Sequence, residues 1–358
     1  MTYKIPQSGE GVRLHLNENS AGCSPAVTAA LRNIRPDDVA KYLDHQSVTD
    51  TTARWFGVDP AWVLLVNGLD EGLSLAALAT AKENRRRATF SGENDARRRS
   101  FFAPALIVEP AFEMYRVCAE IAGLEVRTLR FGPDFAFPLD ALVAAARDAA
   151  LVYLTDPNNP TGLPIPEGAL ATLAEAAPDT RILVDEAYAD FSGRTIIGPL
   201  LDRHRNLICG RTFAKGHGLA AMRIGALVAH PDALAPLRDC CLPFNVSLGA
   251  LRALEAALGD DAWLQAYVAA VRESKTRIYD FCDRRGLQYW RSDGNFVLIR
   301  VGSDASAIVG RMAAHGILIR DRSNAPDCEG CIRITAGTIE ATTTCLTTLE
   351  EVLETRND

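Results

Sequence analysis

The stretch LVYLTDPNNPTG, Leu151 to Gly162, reads as a buried strand that runs straight into a polar turn. Leu151 to Leu154 is a short, unbroken apolar run, as a strand covered on both faces requires. The Asp/Pro/Asn/Gly cluster after it, Asp156 to Gly162, has turn chemistry, and a turn at the carboxyl end of such a strand is where open α/β sheets build ligand sites. On composition alone the plain tight turn is the commoner reading. Similar runs recur on both sides of it, at Val63 to Val66, Ala105 to Val108, Ile182 to Val184 and Leu207 to Cys209. Helical spacing fills intervals between them, as at Ala111 to Ala122 and Glu167 to Ala176. This alternation predicts an α/β fold, with helices flanking a parallel or mostly parallel sheet and right-handed crossovers.

The pattern changes near Leu248. Leu248 to Leu258 and Asp260 to Arg284 read as helices, followed by strand-like segments at Asn295 to Val301, Gly316 to Arg320 and Cys331 to Thr335 and a closing helix from about Ile339 to Glu354. The expected division is a large domain over 41–250 and a smaller α+β domain over 251–358, with residues 1–40 packing on the small domain as a lid. Lys82 to Phe102 carries two Arg triplets around a Gly/Asn/Asp cluster. The Arg-rich insertion, 83–102, reads as a solvated excursion between a helix and the next strand.

Bulk properties narrow the function. The 358 residues are 48% hydrophobic and 23% charged, ordinary for a soluble globular protein. A formal charge of -7 argues against nucleic acid as a partner. No apolar run approaches the roughly 20 residues of a membrane span, and the polar N-terminus lacks a signal-peptide core, so a cytoplasmic location is expected. Nine cysteines at irregular positions imply free thiols rather than a disulfide framework. Cys328 and Cys331 form a single CxxC, poor grounds for a metal or redox site.

Three further segments carry chemistry. Asp185, in VDEAYADF (Val184 to Phe191), ends an apolar strand where a carboxylate is poorly solvated. It reads either as a cap on a neighbouring turn or as a carboxylate kept ionised against a cationic ring nitrogen. Tyr188 is close enough to serve the same pocket. In RTFAKGHGLAAMRIG, Arg211 to Gly225, Lys215 follows a strand, is flanked by small residues and precedes Arg223. Only five of the 38 basic residues are lysines, and Lys4, Lys41, Lys82 and Lys275 lie in poorer settings for a reactive amine. A Schiff-base lysine needs partial desolvation and nearby positive charge. His217, two residues on, reads as structural.

DPNNPTG, VDEAYADF and TFAKGHGLAAMRIG, in this order, with CIRITAGT at Cys331 to Thr338, resemble the fold-type I pyridoxal-5'-phosphate (PLP) aminotransferases over nearly the whole chain. The resemblance implies the PLP-dependent transferase fold, with a seven-stranded-type sheet and a smaller α+β domain. It also implies roles. Lys215 would hold the cofactor covalently and carry the proton between the substrate Cα and the cofactor. Asp185 would pair with the pyridinium nitrogen, and Asn159 and Tyr188 with the phenolic oxygen. Arg223, Thr212 and the backbone N–H groups of Leu69 and Asp70 would hold the phosphate. Phe112 would stack on the ring. Tyr42 would reach the cofactor phosphate of a neighbouring subunit, which implies a homodimer with shared active sites.

Within that fold the chain is most similar to the histidinol-phosphate aminotransferase family. LHLNENS (Leu14 to Ser20), VNGLDEGL (Val66 to Leu73), KYLDHQ with Tyr42, and Arg320 and Arg333 thirteen residues apart carry this resemblance. It implies that Asn17, Asn159, Tyr42, Arg320 and Arg333 contact the substrate, the two arginines gripping its phosphate. The expected reaction moves an amino group from L-histidinol phosphate to 2-oxoglutarate. Alternatives are an aminotransferase for aromatic or other amino acids, a threonine-phosphate decarboxylase-like lyase, or a PLP-sensing regulator. NENS departs from the family in lacking the usual following proline and tyrosine, and Ala214 stands where a hydroxyl residue is usual.

Overall fold

The computed structural model describes residues 11–90 and 103–355. Near its start, β1 (Val12–Arg13) is a two-residue strand. Seven strands then form the main sheet: β2 (Val63–Val66), β3 (Ala105–Glu109), β4 (Val126–Arg130), β5 (Leu151–Thr155), β6 (Arg181–Asp185), β7 (Leu207–Thr212) and β8 (Gly225–Val228), in the order β2-β8-β7-β6-β5-β3-β4. β4, β3, β5, β6 and β7 pair in parallel, whereas β8 is antiparallel to both β2 and β7. The sheet is therefore mostly parallel, as expected, with one reversed strand.

That reversal serves the site. The parallel strands deliver their carboxyl ends to one edge of the sheet, and β8 presents its amino end there, directly after Arg223. Both faces of the sheet are covered. Leu106, Val108, Val152, Leu154, Ile182 and Val184 pack into one apolar cluster, and Ala105, Ile107, Leu151, Tyr153 and Leu183 into another. Alternate residues thus enter opposite cores, which is why these strands read as unbroken apolar runs.

The remaining strands are β9 (Gln288–Tyr289), β10 (Phe296–Arg300), β11 (Ile317–Leu318), β12 (Arg320–Asp321) and β13 (Cys331–Thr335). A four-stranded sheet runs β12-β13-β10-β9, and β1 pairs in parallel with β11. The segment expected at Gly316 to Arg320 is thus two short strands that serve different sheets, because Ile319 interrupts the pairing. Helices Leu248–Leu258 and Ile339–Glu354 match the sequence reading, and the long helix spans Asp261–Arg285. The N-terminal segment lies on this smaller sheet, with the Thr335 N–H donating to the Leu14 carbonyl at 2.9 Å.

Two expectations need correction. The helix after β3 starts at Met114, so Phe112 lies in the turn before it rather than on its first turn. The helix that opens at Gly68 runs on to Phe90 and absorbs the first part of the Arg-rich insertion. Residues 91–102 of that insertion lie outside the described residues.

Candidate active site

A cavity of about 410 Å³ opens at the carboxyl edge of the main sheet, between it and the smaller sheet. Its walls include Lys215, Asp185, Tyr188, Asn159, Arg223, Thr212, Phe112, Leu69, Asp70, Asn17, Arg320 and Arg333. Twelve of the thirteen residues singled out from sequence therefore meet in one place. Tyr42 does not. It is 84% exposed and stacks on Phe244, ring centroids 4.5 Å apart, outside this cavity.

Each strand end contributes by the same logic. β5 ends in Thr155, and the turn that follows bonds to itself. Asn158 Oδ1 accepts from the Thr161 N–H and hydroxyl, and the Gly162 N–H donates to the Asn158 carbonyl at 2.7 Å. Gly162 has φ +76°, and a Cβ there would overlap Ser292, so this turn demands glycine. The closed turn leaves Asn159 free of backbone duty, and its Oδ1 accepts from an Arg333 guanidinium N–H. β6 ends in Asp185, next to Thr155 in register. β7 leads through Thr212 to Lys215.

The Lys215 amine donates to the Leu16 carbonyl at 2.9 Å. Burial, with Arg333 nearby, pulls this amine down to about 8, against the opposite influence of Glu18, Asp185 and Asp70. About a tenth of it is then neutral, and nucleophilic, at pH 7, far more than for an ordinary lysine. The Asp185 carboxylate accepts from the Tyr115 hydroxyl at 2.8 Å and from the Ala187 N–H at 2.9 Å. Burial pushes its carboxyl up to about 6, while those two hydrogen bonds pull it down. An opposing cation brought to Asp185 relieves that burial cost.

At the other end, Arg223 adopts the left-handed conformation at φ 52°, rare for a side-chain-bearing residue. Its guanidinium donates to Asp70 at 2.8 Å. A Cβ on Gly68 would come within 2.6 Å of that guanidinium, so the helix start is cut back to admit it. An arginine and the first N–H groups of a 23-residue helix thus face the same corner, which suits a phosphate. Amine, buried carboxylate and phosphate cradle around one cavity are the donor set that PLP requires.

Three arginines line the other wall. Arg320 and Arg333 are directly opposite each other on β12 and β13. Arg333 is buried, donates to the His15 carbonyl at 2.8 Å and lies 5.2 Å over the Phe296 ring; its Nε has no hydrogen-bond partner among the described residues. Burial pulls it down to about 10, still protonated at neutral pH. The third, Arg322, was not foreseen; it is buried and donates to Glu113 at 2.8 Å. Tyr115, Thr155 and His15 were missed as well. Asn17, whose φ is 56°, donates through its side chain to the Tyr188 hydroxyl at 3.0 Å and is itself fixed by Thr335 and Asn295. His217 is buried 3.7 Å from Asp190 and lines no part of the cavity. All nine cysteines are free.

Comparison with known proteins adds a family. The sequence model described as "Aminotransferase class I and II" matches residues 10–349. Histidinol-phosphate aminotransferase of Anoxybacillus flavithermus is 32% identical, covering 97% of this chain and 90% of its own. That of Bacillus licheniformis is 34% identical, over 96% and 91%. The crystal structure of histidinol-phosphate aminotransferase from Sinorhizobium meliloti in complex with pyridoxal-5'-phosphate is similar at TM-score 0.81 and 28% identity, covering 97% of this chain and 92% of that one. L-threonine-O-3-phosphate decarboxylase from Porphyromonas gingivalis, 21% identical over 96% of this chain and 99% of its own, shares the fold at TM-score 0.77.

Proposed function

The chain belongs to the class I and II aminotransferases, and from that premise we propose that it carries the amino group of L-histidinol phosphate to 2-oxoglutarate, the transamination of histidine biosynthesis. It is a PLP-dependent transaminase. The observation that carries the substrate reading is the register of β12 and β13, which sets Arg320 against Arg333 on the cavity wall. Two guanidinium forks facing one space match the oxygens of a phosphate better than a single carboxylate.

When bound, PLP supplies an electron sink that lets the substrate's Cα–H bond ionise. The chain's own residues account for the rest. Lys215 would hold the cofactor until the substrate's amino group displaces it, and its freed Nζ, with a lowered proton affinity, would then take the proton from the substrate Cα and later return one. Asp185, kept in a dry setting, holds the ring nitrogen's proton in place. Arg223, Thr212 and the helix start at Leu69 and Asp70 anchor the phosphate, while Asn159 and Tyr188 orient the ring's oxygen. Phe112 covers one face. Arg333 and Arg320 take the substrate's phosphate, with Asn17 closing the site from the N-terminal side.

The reading extends to a cytoplasmic homodimer in which Tyr42 serves the partner's site. Tyr42 and Phe244 stack in the open, and Leu242 and Val39 are also strongly exposed. Such apolar side chains on a surface mark an interaction face.

The test is a half-reaction panel on the purified holoenzyme. Histidinol phosphate should convert the cofactor to its pyridoxamine form, and 2-oxoglutarate should restore it. Histidinol without phosphate, phenylalanine and threonine phosphate should do so far more slowly. Release of CO2 from threonine phosphate at a competitive rate, or no conversion by histidinol phosphate, overturns the substrate assignment.

A further inference from the structure

Tyr115 is fully buried on the first turn of the helix Met114–Ile121. Its hydroxyl reaches the Asp185 carboxylate at 2.8 Å and the Thr155 hydroxyl at 2.6 Å. A phenol has one proton, and an ionised carboxylate can only accept. Tyr115 therefore donates to Asp185, and Thr155 donates to the Tyr115 oxygen. The ring is equally constrained. It stacks on Tyr153 at 5.2 Å, and Phe112 meets it edge-on at 5.8 Å. Tyr153 is pinned by its own hydrogen bond to the Leu73 carbonyl at 2.7 Å. One side chain thus touches both Asp185, read above as the partner of the ring nitrogen, and Phe112, read as the residue covering the ring.

We propose that Tyr115 is the positioning residue of the cofactor-ring site: its hydroxyl, backed by Thr155, holds Asp185 ionised and aimed, and its ring sets the stance of Phe112. The inference rests on reading Asp185 as the counter-ion of the cofactor's ring nitrogen. Burying a carboxylate is costly, and the cost is met by donors that bind only its charged form. Among the described residues Asp185 has two such donors, and the Ala187 N–H is the backbone of its own turn. Tyr115 is the one supplied by a side chain.

The groups facing Asp185 set the direction of the pH effect. Tyr115 and the Ala187 N–H stabilise its charged form, and so does Lys215 after β7; Asp70 on the helix from Gly68 opposes. Tyr188, on the loop after β6, is itself influenced by Asp185 and stays protonated at neutral pH. Asp185 already titrates near 6 with the Tyr115 bond in place. Without that bond its proton affinity rises, so the carboxylate is lost at a higher pH.

The test uses the full-length protein stripped of cofactor and titrated with PLP between pH 5 and 8.5. Wild-type affinity should fall as the pH drops through the Asp185 transition. In Tyr115→Phe, PLP should bind about tenfold more weakly near pH 6.5, the size expected for one hydrogen bond to a charged group. Its midpoint should also lie at a higher pH. A purely structural tyrosine would lower thermal stability but leave the midpoint where it is. Thr155→Val should shift the midpoint the same way by less, and it carries the test if Tyr115→Phe does not fold. Curves that superpose on wild type overturn the proposal while leaving the Asp185 reading intact. A wild-type affinity that does not respond to acid in this range overturns the Asp185 reading itself.

Discussion

Lys215 Nζ donates to the Leu16 carbonyl oxygen at 2.9 Å, so the N-terminal segment closes directly on the amine at the centre of the site. The neighbouring residues do the same for other groups. The His15 carbonyl accepts from Arg333, and the Asn17 amide donates to Tyr188. Three consecutive residues of LHLNENS thus contact three different catalytic or binding candidates. In return Asn17 is held by Thr335 and Asn295 of the smaller sheet. Segment, small sheet and active-site amine form one hydrogen-bonded unit.

Replacing Lys215 by Ala should leave PLP bound through Arg223, Asp185 and Asn159 but remove both the covalent link and the proton carrier. Borohydride should no longer fix cofactor to the chain, as mass spectrometry of the treated protein would read. Turnover should fall by about 10²–10⁴-fold or more, the range for a lost general acid–base group, and exogenous small amines should restore part of it. Cofactor that remains fixed after borohydride would relocate the amine to another lysine.

Arg320→Ala should raise the KM for histidinol phosphate roughly 10- to 100-fold, the worth of one or two charge-assisted hydrogen bonds. Reactivity toward unphosphorylated histidinol should hardly change. Arg333→Ala should be worse for both compounds, because Arg333 also ties Asn159 and the His15 carbonyl. Steady-state kinetics with the two donors separates these outcomes. A loss of equal size for both donors in Arg320→Ala would remove Arg320 from phosphate binding.

How much of this was legible in the sequence follows from what each signal depends on. β5, β6 and β7 announced themselves because both of their faces are buried, so each holds an unbroken apolar run, Leu151 to Leu154, Ile182 to Val184 and Leu207 to Cys209. β4 did not, because it is an edge strand whose Arg127, Thr128 and Arg130 point to solvent. β8 is four residues long and begins with a glycine, and nothing local says that it runs backwards. The site residues that were found lie within motifs. Those missed act across strands or helices. Thr155 meets Asp185 only through the β5–β6 register, and Arg322 meets Glu113 only when the smaller sheet packs against the helix Met114–Ile121. Tyr115 left a faint trace, since its three-residue spacing from Phe112 suits one side of a helical turn. Its partner Asp185 lies 70 residues away, where spacing carries no information.

The exposed Tyr42–Phe244 stack gives a test of shared sites that does not depend on a measured interface. Tyr42→Ala and Lys215→Ala should each be impaired alone. Mixed and allowed to exchange subunits, they should recover activity, because the heterodimer then contains one site with Lys215 from one chain and Tyr42 from the other. Recovery to about a quarter of wild type is the limit for random pairing of two-fold dimers. No recovery in a mixture shown to have exchanged would mean that Tyr42 does not serve a neighbouring site.

Asp185 should cost the cofactor-free protein stability, and the sign can be worked out. Its carboxyl is raised from 3.8 to about 6 by burial, so the folded state holds the proton more tightly than the unfolded state. A group raised in this way contributes its full stability below the unfolded value, and that contribution is lost as the pH rises through the folded value. Above about pH 6 the ionised carboxylate is a standing penalty of about 3 kcal/mol, the free-energy equivalent of that rise in proton affinity. Asp185→Asn keeps the shape: its one carbonyl oxygen can accept from the Ala187 N–H while its amide N–H donates to the Tyr115 oxygen, whose own proton turns to Thr155. The apo variant should therefore resist urea better than wild type at pH 8, with the advantage shrinking below pH 6 and gone near pH 4. Its PLP affinity should nevertheless fall, since a neutral amide cannot offset the charge of a protonated ring nitrogen. A variant no more stable than wild type at pH 8 would show that Asp185 is better solvated than its burial implies; the opposite result would identify a residue kept for the cofactor at the expense of the fold.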